Sequence, residues 1–175
     1  MLSNFDACCG FSLRQEGGFC DVKGDPGGAT NHGITMAELS AVLGRPATVD
    51  DVRNLTAAQS EAIYKPRYWV AVSGDALPAG VDLVAFDFGL NAGPRTSAMQ
   101  LQALIKVEQD GVIGPATLAA LATHDRSWVI AALTLSHQAY YRRLPGYGEF
   151  GPGWIARTVR CQAAAGAMVP HGVAA

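Results

Sequence analysis

The sequence predicts a mainly α-helical fold that carries one small β-hairpin. Apolar residues recur at helical spacing along most of the chain. Thr-x-x-Glu and Thr-x-x-Gln boxes beginning at Thr35 and Thr56 mark two helix starts. Only residues 19–34 combine strand-forming side chains with glycine turns. With 175 residues, 49% of them hydrophobic, the chain is long enough for one ordinary globular domain.

The first half of the chain begins with an amphipathic helix predicted over residues 2–16. Residues 19–34 then form a short hairpin across a glycine turn. A helix starts at Thr35 and stops at Gly44, and a short helical turn covers 48–55. The helix that begins at Thr56 runs into Tyr64, where Pro66 kinks or ends it.

The second half reads as helices joined by short turns. Residues 81–92 predict a buried helix because they are apolar on several sides. Gly93-Pro94 starts the next helix, whose apolar positions continue to Ile105, since proline suits a first helical turn. Further helices are predicted over 116–122, 128–144 and 154–167.

Composition limits the partners that this chain could take. The net charge of −2 gives no electrostatic footprint for nucleic acid or an anionic membrane. No run of 18 apolar residues could span a bilayer. The first residues lack the basic and apolar segments of a signal peptide, so we expect synthesis in the cytoplasm.

Metal chemistry is not indicated by the cysteines and histidines. Cys8, Cys9, Cys20 and Cys161 match no zinc spacing. We favour buried thiols on helix faces, and a disulfide from Cys20 to one of the other three stays open. The histidines are scattered, which argues against a zinc amidase or endopeptidase. No metal and no cofactor are therefore expected.

Two carboxylates and a hydroxyl lie close together around the glycine turn: Glu16, Asp25 and Thr30. Hydrolysis of a glycosidic bond needs one carboxyl group that donates a proton and a second, ionised one near a water. Asp25 lies among glycines, where backbone N–H groups and water reach it and keep it ionised. The alternative without a catalytic role is that Glu16 is a solvated residue at a helix end, followed by an ordinary Asp-Pro-Gly turn.

Glu16 has the position of the proton donor. At about 100° per residue it lies within about 20° of Phe5 and Cys9 on a continuous helix. Its carboxyl group thus points along the apolar face of its own helix. Partial desolvation there favours the protonated form that a general acid requires.

The whole stretch resembles the glycoside hydrolase 108 family of phage and bacterial N-acetylmuramidases. The matching segments are Glu16-Gly17-Gly18-Phe19, Asp25-Pro26-Gly27-Gly28 and Thr30-Asn31-His32-Gly33-Ile34-Thr35. The resemblance implies a lysozyme-like helical bundle with a small β-hairpin lobe. It also implies hydrolysis of the β-1,4 bond between N-acetylmuramic acid and N-acetylglucosamine. Glu16 would then be the acid, Asp25 would orient water or stabilise the cationic sugar, and Thr30 would position water.

Five further residues are candidates for substrate binding. Tyr64, Tyr68 and Trp69 could stack on sugar rings, although a core position is favoured for Trp69. Asp87 and Asn91 form an i, i+4 polar pair within an apolar run, where a buried polar group needs a partner. A structural hydrogen bond is at least as good an explanation for that pair. Both groups also resemble family patterns, Y-x-x-x-Y-W and D-x-x-x-N-x-G.

The rest of the chain resembles the small peptidoglycan-associated domain that follows the catalytic part in this family, including the string Asp110-Gly-Val-Ile-Gly-Pro115. We therefore expect a catalytic part over 1–94 and a helical peptidoglycan-associated part over 95–175, packed on it as one body. The resemblance implies a monomeric phage or prophage endolysin that acts on peptidoglycan in the periplasm after release through a holin.

Two alternatives stay open. A non-catalytic peptidoglycan-binding module would keep the aromatics and the turn but would not need Glu16. A lytic transglycosylase would use Glu16 alone and leave anhydromuramic ends. For a muramidase we expect inversion at the anomeric carbon, because Thr30 would give a held water its second partner.

Overall fold

The computed structural model describes residues 4–21 and 28–170. Helices dominate these residues, and the predicted mainly α-helical fold with a small hairpin is confirmed. The chain forms two compact units. We call Cys9–Arg67 the hairpin unit, and Met1–Cys8 together with Tyr68–Ala175 the helical unit.

The hairpin unit consists of short elements. It contains the end of the first helix, two strands and three further helices: α1 (Phe5–Gln15), β1 (Thr30–Asn31), β2 (Ile34–Thr35), α2 (Met36–Leu43), α3 (Val49–Arg53) and α4 (Ala57–Tyr64). A π-helical turn, Lys65–Trp69, follows α4 and contains Pro66, so the α-helix ends where the proline predicted.

The strands β1 and β2 form a tight hairpin that the sequence interpretation did not foresee. They pair antiparallel, with Thr30 opposite Thr35 and Asn31 opposite Ile34. The turn residues His32 and Gly33 have φ of 51° and 71°. Positive φ at both central residues is the signature of a type I′ turn, whose twist suits a two-residue hairpin.

The pairing predicted across the glycine turn is also present. Cys20 and Thr30 exchange two backbone hydrogen bonds of 2.8 Å. Asn31 fixes the hairpin to α3, because its side-chain amide donates to the carbonyls of Val52 and Arg53, at 3.0 and 3.2 Å. The hairpin is therefore held on both sides.

Capping boxes start the short helices of the hairpin unit. In each, the threonine hydroxyl accepts from the third helical N–H, and that residue's side chain accepts from the threonine N–H. The pairs are Thr35 with Glu38, Thr48 with Asp51 and Thr56 with Gln59. The helix starts predicted from Thr35 and Thr56 are confirmed.

The helical unit is built around one buried helix. Its elements are a 3₁₀ turn (Gly74–Ala76), α5 (Val81–Ala92), α6 (Pro94–Leu104), α7 (Pro115–Leu121), α8 (Arg126–Tyr141) and α9 (Tyr147–Ala167). Every residue of α5 from Val81 to Gly89 is buried. This helix packs against α6, α8 and α9. An aromatic cluster of Phe5, Trp69 and Phe86, in edge-to-face contacts, fills the core nearby.

The last helix begins at Tyr147 rather than at the predicted Trp154. Pro152 lies inside it, where sequence rules predict an interruption. A Cβ on Gly151 would lie 2.7 Å from the Tyr147 ring, so that ring packs directly over the glycine. Trp154 also contacts the rings of Phe150 and Tyr141. Tertiary packing therefore outweighs the poor helix propensity of this stretch.

No helix among the described residues is long and apolar enough to cross a membrane. The thiols of Cys8, Cys9 and Cys161 are buried, as expected, whereas Cys20 is exposed, and none of the four forms a disulfide. Burial raises the pKa of the Cys161 thiol, so it stays protonated at neutral pH.

Candidate active site

The candidate proton donor, Glu16, lies one residue beyond the end of α1. Its backbone N–H donates to the Ser12 carbonyl at 3.1 Å, which continues the helical hydrogen-bond pattern up to this residue. Ser12 is fully buried, while Glu16 is only half-buried. The helix thus holds the carboxylate at the edge of the hairpin unit, partly desolvated and still accessible.

The hairpin turn lies directly against this carboxylate. A Cβ built on Gly33 would be 2.9 Å from Glu16 Oε2 and 3.0 Å from the Tyr64 hydroxyl. Real Cβ atoms do not approach other atoms so closely, and the φ of 71° adds strain for any side chain. A side chain at this position would therefore displace the Glu16 carboxylate or the turn.

Tyr64 secures the turn from the end of α4. Its hydroxyl donates a hydrogen bond to the His32 carbonyl. The side chain is 3% exposed, so the ring offers no face to a sugar. Tyr64 is therefore not the sugar-stacking residue that the sequence predicted: it lies in the core, with its hydroxyl beside Gly33.

The other two members of the predicted catalytic set differ in how far they are described. Thr30 lies on β1, two positions before the turn, and is half-buried. Asp25 falls outside the described residues. The structure therefore brings Glu16, Gly33 and Tyr64 together and places Thr30 on the strand that leads into the same turn.

Trp69 is a core residue of the helical unit. It is 0% exposed, and its indole N–H donates to Asp75 at 2.9 Å. The proposed sugar contact is therefore corrected to the core position that its size favours. Tyr68 is half-buried, so part of its surface is accessible.

Asp87 forms a buried ion pair. Arg157 donates from Nη2 and Nε to the two carboxylate oxygens, at 2.8 and 3.1 Å. Both side chains are nearly buried, so the carboxylate is committed to the core rather than to substrate. Asn91 is exposed in the last turn of α5 and donates to the Asp87 backbone carbonyl, not to its side chain.

Comparisons with known proteins add independent information. A family model described as "Glycosyl hydrolase 108" matches residues 10–93, and one described as "Predicted Peptidoglycan domain" matches residues 94–159. The solved structure of Brucella abortus SagA is 39% identical, covers 97% of each chain and superposes with a TM-score of 0.87. The chain belongs to the glycoside hydrolase 108 family. A search of curated proteins found no match.

This glycoside hydrolase 108 protein is a peptidoglycan hydrolase by its two matched regions. The boundary between them falls at Gly93-Pro94, between α5 and α6. The compact units divide the chain elsewhere, after residues 8 and 67. Helix α5 therefore lies in the hydrolase match but packs with helices of the peptidoglycan match.

No group of three or more metal-ligating side chains occurs in the described parts of the chain. One acidic group of the hairpin unit, the Glu16 carboxylate, lies against a backbone turn. A carboxyl group that is partly buried, partly accessible and held by rigid neighbours can donate a proton to a bound leaving group.

Proposed function

We propose that this enzyme is an N-acetylmuramidase that cleaves the β-1,4 bond between N-acetylmuramic acid and N-acetylglucosamine. The observation that carries the proposal is the placement of Glu16, whose Oε2 is held against the Gly33 turn at an accessible edge. Membership of a glycoside hydrolase family and a second match to a peptidoglycan domain support the substrate class.

Glu16 acts as general acid. Its carboxyl proton passes to the glycosidic oxygen while the bond from that oxygen to the anomeric carbon breaks, and the electron pair leaves with the oxygen. A water attacks the opposite face of the sugar and loses its proton to Asp25. Thr30 holds that water from β1. This assignment predicts inversion, for which the two carboxyl groups would be about 6.5–9.5 Å apart.

The two regions matched by family models have different roles in this proposal. Residues 1–94 carry the catalytic chemistry, and residues 95–175 bind the wall polymer. Of the five candidate substrate residues, Tyr68 and Asn91 are retained, because part of each is accessible. Tyr64, Trp69 and Asp87 are assigned to the core.

Replacement of Glu16 by glutamine tests the proposal. The variant keeps the shape but cannot donate the proton, so the rate of wall lysis should fall on the order of 10²–10⁴-fold. Glu61→Gln, in α4 of the same unit, is the matched control and should retain wild-type activity. Lysis by Glu16→Gln within a factor of two of wild type would remove Glu16 from the mechanism, whereas absence of lysis by the wild-type protein would favour a binding module.

Product analysis separates the muramidase from the lytic transglycosylase. Mass spectrometry of digested peptidoglycan should detect reducing muramic acid ends. Anhydromuramic ends would show that Glu16 works without an attacking water. NMR of the first-formed product should detect the α-anomer, and a β-anomer would mean that Asp25 is a nucleophile or that water attacks from the other face.

The family resemblance also supports a biological role as a monomeric phage or prophage endolysin that reaches the periplasm through a holin. Expression in a Gram-negative cell should leave the culture turbid until the inner membrane is permeabilised. Lysis without permeabilisation, with the enzyme in the periplasm of intact cells, would contradict holin dependence.

A further inference from the structure

We propose that Gly33 and Tyr64 are positioning residues for the Glu16 carboxyl group, with Gly33 acting as a side-chain-free support and Tyr64 holding that support in place. This inference rests on the proposed role of Glu16 as general acid. Neither residue donates or accepts a proton in the reaction. Both determine where the donated proton is.

The backbone turn at Gly33 contacts both Glu16 and Tyr64. One point in space, where a Cβ would be, lies 2.9 Å from Glu16 Oε2 and 3.0 Å from the Tyr64 hydroxyl oxygen. The acid and the tyrosine therefore converge on the same face of the turn. Backbone contact on that face restricts the rotation of the carboxyl group.

Tyr64 holds this turn in place. The ring is buried in the last turn of α4, and its hydroxyl donates to the carbonyl of His32, the residue before Gly33. Asn31, the residue before His32, fixes the hairpin to α3 through its side-chain amide. The turn is thus held from two helices, so it cannot move away from the carboxyl group.

Gly33→Ala tests the support, with Gly44→Ala as a matched control. Both glycines have similar positive φ, 71° and 65°, so both variants carry the same backbone strain. A Cβ at Gly44 meets nothing within 4 Å. Gly33→Ala should lower kcat on the order of 10- to 100-fold by displacing the carboxyl group, with KM little changed. Gly44→Ala should keep wild-type kcat.

Tyr64→Phe tests the second residue and guards against misfolding of Gly33→Ala. It retains the buried ring and removes only the hydroxyl, so kcat should fall roughly fivefold. In both variants the alkaline limb of the pH profile of kcat/KM should shift, because that limb reports the ionisation of the general acid. A loss of fold alone would reduce the amount of active enzyme without shifting the limb.

The outcomes separate this inference from the proposed function. If Glu16→Gln is inactive while Gly33→Ala matches Gly44→Ala in kcat, the positioning role is overturned and the acid role stands. Unchanged alkaline limbs in folded Gly33→Ala and Tyr64→Phe also overturn it. If Glu16→Gln is active, the proposed function fails first.

A separate surface of the helical unit carries a second inference. We infer that the groove between α6 and α8 binds the anionic stem peptide of peptidoglycan, again within the proposed function. The groove has a volume of about 480 Å³ and lies wholly within the region matched to the peptidoglycan domain. Its lining mixes apolar and polar side chains, with one arginine and no carboxylate: Thr96, Met99, Gln100, Ala103, Gln109, Ser136, Tyr140 and Arg143.

Several of these side chains are arranged in advance for a ligand. The Arg143 Nε donates to the Ala139 carbonyl at 3.1 Å, which fixes the plane of the guanidinium and leaves its terminal nitrogens for a carboxylate. Ser136 donates to Gln100 Oε1, so the amide nitrogen of Gln100 points away from that contact. The Tyr140 ring is held edge-on by Phe88. A cation, an oriented amide and a fixed ring suit a peptide with free carboxylates.

Titration of full-length, isotope-labelled Glu16→Gln protein with the tripeptide L-alanyl-γ-D-glutamyl-diaminopimelate tests this groove by NMR. Backbone amides of α6 and α8 around Gln100 and Arg143 should shift, and Arg143→Ala should weaken binding roughly tenfold. Arg142→Ala, exposed and outside the lining, is the control. Absence of shifts at millimolar tripeptide, equal effects of the two arginine variants, or shifts with chitotetraose instead would each overturn the assignment.

Discussion

The hairpin unit and the helical unit are stabilised in different ways. In the hairpin unit, short helices begin at capping boxes, and a two-residue turn is fixed by side-chain hydrogen bonds to backbone carbonyls. In the helical unit, α5 is buried from Val81 to Gly89 and begins at Gly80 without a side-chain cap. Local polar contacts define the first unit, and burial defines the second.

This difference suits the roles that we propose. A proton donor has to be held at an accessible edge, where burial cannot supply the rigidity, so directional hydrogen bonds do so instead. A wall-binding surface needs a stable scaffold, and a fully buried helix provides one. The comparison predicts large stability losses from buried groups of the helical unit and small, local losses in the hairpin unit.

The largest effect is expected from the Asp87–Arg157 pair. Arg157→Leu would remove the guanidinium that pairs with a buried carboxylate and should cost about 3–5 kcal/mol of unfolding free energy. Chemical denaturation followed by circular dichroism measures this loss. The double variant Asp87→Leu/Arg157→Leu removes both charges and should recover much of it. If the double variant is as unstable as the single one, packing rather than charge dominates at this site.

A second effect of burial depends on pH. His137 stacks on Phe88 with ring centroids 3.7 Å apart, and burial lowers the pKa of its imidazole to about 3. Its Nε2 has no hydrogen-bond partner within the described residues. In the unfolded chain the imidazole of His137 is protonated below about pH 6.5, whereas in the folded chain it stays neutral down to about pH 3. The free energy of unfolding therefore falls as the pH drops through this range. At pH 5 the loss from this group should be about 2 kcal/mol.

Denaturation of His137→Leu at pH 7 and pH 5 isolates that contribution. The variant should lose less stability on acidification than wild type, whereas the control His124→Leu, at a half-buried surface position, should not. Asp87, Tyr141 and Cys161 line a small cavity together with His137. All three are present in wild type and in both histidine variants, so their contributions to the acid sensitivity cancel in the comparison. Equal acid sensitivity of His137→Leu and wild type would assign the effect to other groups.

The smallest effect is expected from a cap in the hairpin unit. Thr56→Ala removes the hydroxyl that accepts from the Gln59 N–H at the start of α4 and should cost about 1 kcal/mol. Hydrogen exchange should increase in the first turn of α4, while α5 remains protected. Uniform acceleration in both helices would mean that the two units unfold together and that the cap is not local.

The same contrast explains what the sequence could predict. The starts at Thr35 and Thr56 and the bounds of α5 were predictable, since each depends on residues close in sequence. The box at Thr48 was missed because its third residue is Asp51 rather than Glu or Gln. The turn at His32-Gly33 was missed because the dipeptides that signal a two-residue hairpin turn are Asn-Gly and Asp-Gly, not His-Gly.

Which individual aromatic side chains are buried could not be predicted from neighbouring residues in the sequence. Tyr64 and Trp69 carry the same sequence signal as an exposed sugar-stacking ring, and only contacts distant in sequence distinguish the two. The support at Gly33 was equally hidden, because its need for glycine arises from Glu16 and Tyr64 rather than from its neighbours. Of the candidate catalytic set, Glu16 is half-buried, and its role as general acid stays a prediction.

Helix α5 has a consequence for protein engineers who recombine lytic enzymes. The obvious cut lies between Gly93 and Pro94, where the two family matches meet. A fragment ending there would keep α5 but lose α6, α8 and α9, the helices that cover it. Phe88 would then lose the rings of His137, Tyr140 and Tyr141 that pack against it, and its exposure to water would promote aggregation. Chimaeras of this enzyme should therefore exchange α5 together with the helices that follow it.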